Sequence, residues 1–296
     1  MLSSAQIKTI ARSVGFHGCG IARATQLEGF EARFRTWLSL GRQGDMQFME
    51  KHVEMRSDPR LLVEGAQSVI CLLLGYKPSQ TMQGPHRVAQ YAYGEDYHER
   101  IRQMLFRLIA LIRESRPTFE AKPCVDTVPI SDKLWAAQAG LGWIGKHTLL
   151  VNPTYGSYCH VAELVTTESF DHYDSPIANR CNGCTLCLKA CPNHALDEKG
   201  LDCRRCISYN TIENRAPQLP VDLTLNGYSF GCDCCQMVCP YNKDVPPTVE
   251  ISDQRIRELE TLSATDPTEF RRRTRHSAIN RIKHAQWQRN LQHPNP

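Results

Sequence analysis

Four thiols in the stretch CNGCTLCLKACP, spaced Cys-x2-Cys-x2-Cys-x3-Cys-Pro at Cys181, Cys184, Cys187 and Cys191, constrain this 296-residue chain more than any other feature. A loop of that spacing wraps a 4Fe-4S cube with its first three cysteines and gives its fourth to a different cube. One such run therefore demands a second. It occurs at GCDCCQMVCP, where Cys232, Cys235 and Cys239 repeat Cys-x2-Cys-x3-Cys-Pro, and Cys206 lies upstream as the remaining ligand. Crossing the fourth cysteines gives one cube Cys181, Cys184, Cys187 and Cys239, and the other Cys191, Cys206, Cys232 and Cys235.

Structural zinc sites also begin from Cys-x2-Cys, but zinc takes four ligands, whereas eight thiols fall in register here and each half is closed by proline. The register leaves one alternative open: Cys203 and Cys234 stand beside the ligand set, and either can substitute for a neighbour. The start of the chain, MLSSAQIKTIARSVGF, lacks the apolar core of a secretory signal and has no twin-arginine pair, and no run of eighteen apolar residues occurs. A cytoplasmic protein without a membrane span is expected. In that compartment fourteen cysteines mean metal or redox work rather than disulfides, with Cys19, Cys71, Cys124 and Cys159 as buried free thiols.

The formal charge is +4, and two cubes with four thiolates each bring the loaded protein near neutrality, so any basic surface has to be local. It is: RRRTRHSAINRIKHAQWQRN, residues 271–290, carries seven Arg or Lys and no acid. That density favours a polyanion partner over an ordinary solvated helix face.

Hydrophobic periodicity predicts amphipathic helices at 4–14 and 28–41, a buried strand at SVICLLLGY and a long helix through HERIRQMLFRLIALIRES. Further on come a strand around FEAKPCVDT, a helix over SDKLWAAQAG with Asp132 as its N-cap and Gly140 closing it, and strands at HTLLVN and CHVAELVTT. The expected fold is therefore α+β or α/β. A larger α/β domain (1–175) leads into a bacterial-type, ferredoxin-like domain with two 4Fe-4S clusters (176–245), then a basic helical segment (246–296). In that last segment helices are expected near 252–262 and 267–290, with Phe270, Thr274, Ala278 and Ile282 on one buried stripe.

Clusters move single electrons, so their use depends on what the larger domain binds. GCGIARA and GLGWIGK lack the acidic residue and the strand-to-helix context of a dinucleotide fold, and GLGWIGK is too short for a Walker loop. In contrast, RSDPRLLVEGAQSVI, YGEDYH, VDTVPISDK, AGLGWIGKHTLL, GSYCHVAELVTT, CISYNT, GCDCCQMVCPYNK and EFRRRTRHSAINRIK follow one another along nearly the whole chain. In these motifs and their order it resembles epoxyqueuosine reductase, the iron-sulfur and cobalamin enzyme that completes queuosine synthesis at the wobble position of transfer RNA. It is similar to the shorter members, without C-terminal helical repeats.

The resemblance implies cobalamin between the α/β domain and the clusters without an axial histidine. The corrinoid signature Asp-x-His-x-x-Gly is indeed broken in DYHERI, where Ile101 replaces glycine. It implies that Asp126 of VDT is the acid that protonates the departing oxygen, its pKa raised by an apolar corrin face. Arg56, Lys146, Ser208 and Asp233, with Asp126, are the further cofactor contacts it suggests. Gln90 stands about where the family carries an arginine. The substrate would be an anticodon stem-loop of tRNA bearing the queuosine precursor, gripped through phosphates by Arg271, Arg272, Arg273, Arg275, Arg281, Lys283 and Arg289. An external low-potential electron donor is required, and a monomer suffices. The rivals are a corrinoid reductive dehalogenase acting on a small molecule and a two-cluster electron carrier. The first is normally exported with a twin-arginine signal; the second has no need of the large domain.

Overall fold

The computed structural model describes residues 3–294. At its centre is a four-stranded sheet in the order Gly18–Arg23, Ser68–Gly75, Cys159–Thr166, Ala121–Cys124, antiparallel at every pairing. Of the two classes expected, this larger unit is thus α+β. The strand Ser68–Gly75 is buried at every position, which its unbroken apolar run requires: both faces of the sheet are covered.

On one face helices Ser4–Val14 and Tyr97–Ser115 lay Ile7, Ala11, Ile101, Leu105 and Leu108 onto Ile70, Leu72 and Leu164. On the other, helix Asp132–Gln138 sets Trp135 and Ala136 over Cys71, Leu73, Cys124 and Val165. This helix lies very close to the sheet, because a Cβ at Gly20 would drive into the Ala139 carbonyl. It stops, as the sequence suggests, at Gly140, whose φ of 71° suits glycine. Its start differs from expectation: Ser131 occupies the N-cap and Asp132 is the first helical residue, making no cap hydrogen bond.

The cysteine-bearing lobe is built from short helices at Leu186–Lys189, Ile207–Ile212 and Cys234–Met237, and its strand Tyr228–Phe230 pairs with Arg87–Val88 from the first half of the chain. A buried network ties the lobe to the sheet. The Asn242 amide donates to Ser157 Oγ (2.8 Å), while Ser157 Oγ and Tyr76 Oη donate to Gln236 Oε1 (2.9 and 3.1 Å).

The single basic helix expected at 267–290 is instead broken into Pro267–Thr274, a 3-10 turn Ala278–Arg281, and His284–Gln292. Ser277 causes the first break: its backbone is extended and its hydroxyl accepts from Ile279 N, so a side chain competes with the helix for that donor. The stripe of Phe270, Thr274, Ala278 and Ile282 is nevertheless buried, in a core shared with Val88, Tyr93, Ile212 and Phe230. The C-terminal segment is therefore packed across both halves of the chain.

Candidate active site

Between the sheet and the cysteine lobe lies a cavity of about 400 Å³. Asp126, Asp132, His147, Cys159 and Ser208 line it, and so do the thiols of Cys191, Cys206, Cys232, Cys234 and Cys235. A neighbouring cavity of about 720 Å³ shares Tyr76, Tyr91, Tyr97 and His160 with it, so these aromatic rings form a wall between the two parts of one cleft. The wall is stiff. His160 stacks on Tyr97 with centroids 4.1 Å apart and planes 9° from parallel, and lies 4.7 Å from Tyr76. Burial drives the His160 pKa down to about 3, so it is a neutral ring in this wall.

Asp126 follows the strand Ala121–Cys124 in a tight turn in which Thr127 N bonds back to Val125 O. Its φ of 52° is left-handed, uncommon and strained for a residue other than glycine, and such strain gathers at working sites. His98 holds the carboxylate. Asp96 caps helix Tyr97–Ser115 through His98 N, and this brings the imidazole between two acids: Nδ1 lies 2.7 Å from Asp96 Oδ1 and Nε2 lies 2.8 Å from Asp126 Oδ2. Carboxylates only accept, so both ring nitrogens donate and the ring is an imidazolium. Burial alone lowers the His98 pKa, but the bonds to Asp126 and Asp96 outweigh it and the net shift is upward.

The same contact reverses one expectation. Instead of being raised by an apolar surrounding, the Asp126 pKa is lowered, chiefly by the His98 hydrogen bond, with Tyr97 Oη (3.3 Å) and the charge of Arg281 adding to it against desolvation. The carboxylate is 60% exposed and opens into the cavity, so its partners prevail over desolvation.

The thiols fall into two neighbourhoods. Burial and the nearby Cys181, Cys184 and Cys239 raise Cys187; Cys206 and Cys191 lie beside Cys235, and Cys206 beside Cys232. Cys234 belongs to the second neighbourhood as well, beside Cys232 and Cys206, and the two groups adjoin, since Cys187 also acts on Cys235. Only the second set lines the cavity. Among the described residues no three His, Cys, Asp or Glu groups close around a single ion. Cys203 is buried against Arg42 O, behind Cys206, while Cys234 accepts from the Asn226 amide.

Of the other sequence candidates, Ser208 lines the cavity and three do not. Lys146 Nζ donates to the carbonyls of Asn182 and Cys184 (2.8 and 2.7 Å), steadying the cluster loop. Arg56 donates to Phe48 O (3.0 Å), and buried Asp233 accepts from Gln90 N (2.8 Å). Each of the three meets protein groups in this fold. The basic segment divides likewise. Arg289 is turned inward onto the carbonyls of Asn210, Asn214 and Ala216, and Arg273 onto Glu258 O and Thr261. Arg272 pairs with Glu269 and Arg281 with Glu213, leaving Arg271, Arg275 and Lys283 exposed without an ion-pair partner among the described residues. Arg272, Arg273 and His276 line the second part of the cleft.

His98 and the aromatic wall escaped the sequence reading, although the YGEDYH motif contained both Tyr97 and His98. An imidazole between two acids is a relation in space that DYH alone does not display.

Comparison with known proteins follows the same lines. Residues 56–127 match the family model "Epoxyqueuosine reductase QueG, DUF1730", and residues 180–242 match a "4Fe-4S double cluster binding domain". The chain is 40% identical to an epoxyqueuosine reductase of Cellulophaga algicola, over 96% of this chain and 95% of that one. It is also 40% identical to that of Gloeobacter violaceus, over 97% and 94%. Among solved structures it resembles the epoxyqueuosine reductase from Streptococcus thermophilus (TM-score 0.88, 27% identity, 98% of this chain and 80% of that one). It also resembles an epoxyqueuosine reductase crystallised with an epoxyqueuosine-modified tyrosine tRNA stem loop (TM-score 0.85, 29% identity, 97% and 79%). A third is the Bacillus subtilis enzyme with its catalytic aspartate loop swung out of the active site (TM-score 0.84, 28% identity, 97% and 79%).

Proposed function

The chain belongs to the epoxyqueuosine reductase family of oxidoreductases, and we propose that it reduces epoxyqueuosine in the anticodon loop of a tRNA, with Asp126 and His98 together as the acid. One observation carries the reading: a cleft with the inner thiol set on one side, the Asp126–His98 couple on the other, and a cationic segment at its edge. Conversion of an epoxide to an alkene needs two electrons and two protons and releases water. Each element of that balance has a counterpart here.

Electrons from an external low-potential donor would enter at Cys181, Cys184, Cys187 and Cys239 and pass to Cys191, Cys206, Cys232 and Cys235, which face the cavity. The cleft suits cobalamin in its chemistry: a broad aromatic wall for a flat, largely apolar ring, with polar Ser208, Gln236 and Lys133 around it for the amide-bearing rim. Tyr76, Tyr91, Tyr97, His160 and Ser208 are the residues that would hold it, and when bound it supplies a metal centre that accumulates electrons delivered singly. His98 holds a proton at rest and Asp126 carries it to the substrate oxygen, so the acid is the couple rather than the carboxyl alone.

The basic segment supplies the RNA grip. Arg271, Arg275 and Lys283 are free to meet phosphates, while Arg272 and Arg273 place cationic charge at the cleft and Arg281 is near enough to Asp126 to be felt by it. Among the described residues no helix is long and apolar enough to cross a membrane.

The test is anaerobic reconstitution with iron, sulfide and cobalamin, then single turnover on an epoxyqueuosine stem-loop. Cobalamin-dependent conversion is expected; its absence refutes the reading. Replacing Arg271, Arg275 and Lys283 by Glu should weaken stem-loop binding and flatten its dependence on salt by about 0.7–0.9 for each phosphate no longer neutralised. An unchanged affinity at low salt would rule out the assigned interface.

A further inference from the structure

Both protons of the reduction leave with the oxygen as water, and the His98–Asp126 couple stores one. A second store is formed by Asp132, six residues further on, and Glu163 of the central sheet. Glu163 sits in the middle of strand Cys159–Thr166, directly opposite Cys71 on one neighbour and Cys124 on the other. Residues paired in this way point to the same face, and Cys71 and Cys124 lie in the layer beneath helix Asp132–Gln138. Glu163 therefore projects beneath that helix, whose first residue is Asp132.

Glu163 is sealed, Asp132 is half-buried above it, and both are short of hydrogen-bond partners. Glu163 is 0% exposed, and neither of its carboxyl oxygens has a hydrogen-bond partner of ordinary geometry; nor has Asp132 Oδ1. Two ionised carboxylates here would cost several kcal/mol, so the pair retains a proton. Burial raises Glu163 well above the ordinary range, and its interaction with Asp132 adds to the effect. Asp132 is pushed up to about 6 by burial and by the nearby charge of Asp126, against its bond to Glu163 and the charge of Lys133. The other groups facing the pair are the thiols of Cys71 and Cys124 and the guanidinium of Arg56, itself half-buried with Nε unpartnered. Asp132 reaches the cavity that Asp126 opens into, whereas Glu163 is sealed behind it.

Resting on the reaction assigned above, we propose that Asp132 delivers the second proton of the reduction and that Glu163 holds it in reserve. The proton from Asp126 goes to the epoxide oxygen as its first C–O bond breaks. The proton from Asp132 goes to the resulting hydroxyl as the second C–O bond breaks, so that water departs and the alkene forms. The two electrons come from the external donor. Afterwards Glu163 reprotonates Asp132, and the pair refills from solvent through the cavity.

The test uses Glu163→Gln and Asp132→Asn in reconstituted protein. Infrared difference spectra should show a protonated-carboxyl C=O band at pH 7 in the wild type that is missing from Glu163→Gln. In single turnover on the epoxyqueuosine stem-loop, Glu163→Gln should match wild type at pH 5.5, where solvent keeps Asp132 charged with protons, and fall about tenfold behind it above pH 7. Asp132→Asn should be slow throughout, with iron content and stem-loop affinity retained. If Glu163→Gln does not fold, Asp132→Asn and Glu163→Asp decide the matter, the latter restoring both the band and the rate. A wild type without the band, or a variant profile lying on the wild-type curve, overturns the proposal alone. A uniform loss at every pH overturns it in favour of a structural role. Failure of the wild type to convert the stem-loop would instead strike the reading beneath it.

Discussion

Two acidic sites a few residues apart have opposite surroundings. Asp126 is more than half exposed, strained at its φ, and bonded to an imidazolium that keeps it ionised. Glu163 is sealed in the sheet with Asp132 half-buried over it, three of their four carboxyl oxygens lack an ordinary partner, and the pair keeps a proton on Glu163. The first site can transfer a proton only through its partner; the second stores one because it has too few partners. When environment drives carboxyl groups apart in this way, it assigns them different tasks.

The largest expected effect comes from removing the exposed member. Asp126→Asn keeps the side chain's shape and can still meet His98, but offers no exchangeable acid proton, so single turnover should fall about 10²–10⁴-fold with cluster and cobalamin content unchanged. Full activity in this variant would end its assignment as the acid. A smaller effect is expected from His98→Gln. Without the imidazolium, the Asp126 pKa should rise toward and beyond its ordinary value, turnover should fall about tenfold, and the acid limb of the pH-rate profile should move upward. A profile that stays in place would show that His98 serves only to start its helix.

Much of this was legible in the sequence, for a specific reason. The cysteines lie in short runs whose spacing is itself the chemistry, so Cys181 to Cys239 could be numbered before any fold was known, whereas Asp126 was marked only by the resemblance of VDT to the family's motif. Glu163 could not. In CHVAELVTT it is one acid in an apolar strand, and only the pairing of that strand with Ser68–Gly75 and Ala121–Cys124 reveals that it is sealed on both sides. The arginines failed to be legible for a related reason. Arg289 and Arg271 look alike in a basic run, but the break at Ser277 turns one onto buried carbonyls and leaves the other in solvent.

Stability should separate the two sites by the sign of its pH dependence. Groups raised in the folded state, as Asp132 is to about 6, contribute stability that is full below the unfolded carboxylate pKa and lost as pH rises through the folded value. For the lowered Asp126 the contribution is present above its unfolded value and lost as pH falls through the folded one. Glu163→Gln removes part of the first term only. Denaturant midpoints should then decline less between pH 5 and 8 in the variant, which should be the more stable protein at pH 8 by about 1–3 kcal/mol. Parallel wild-type and variant curves would mean that the pair carries no proton at neutral pH.

The smallest effect is also the most discriminating, because it cancels side-chain chemistry. At Asp126, alanine and glycine both delete the carboxylate, so the His98 bond is lost equally; what remains is a backbone at φ 52°, which glycine tolerates and alanine does not. Asp126→Gly should therefore be more stable than Asp126→Ala by about 1 kcal/mol. At Asp132, the first residue of a helix, the order should reverse, with alanine favoured by about 0.5 kcal/mol on helix propensity. The four denaturant midpoints test whether strain is confined to the turn that presents the acid. Equal values for the two Asp126 variants would mean that the turn relaxes once its carboxylate is gone, so that the His98 bond, rather than the chain on either side, holds it in the left-handed conformation.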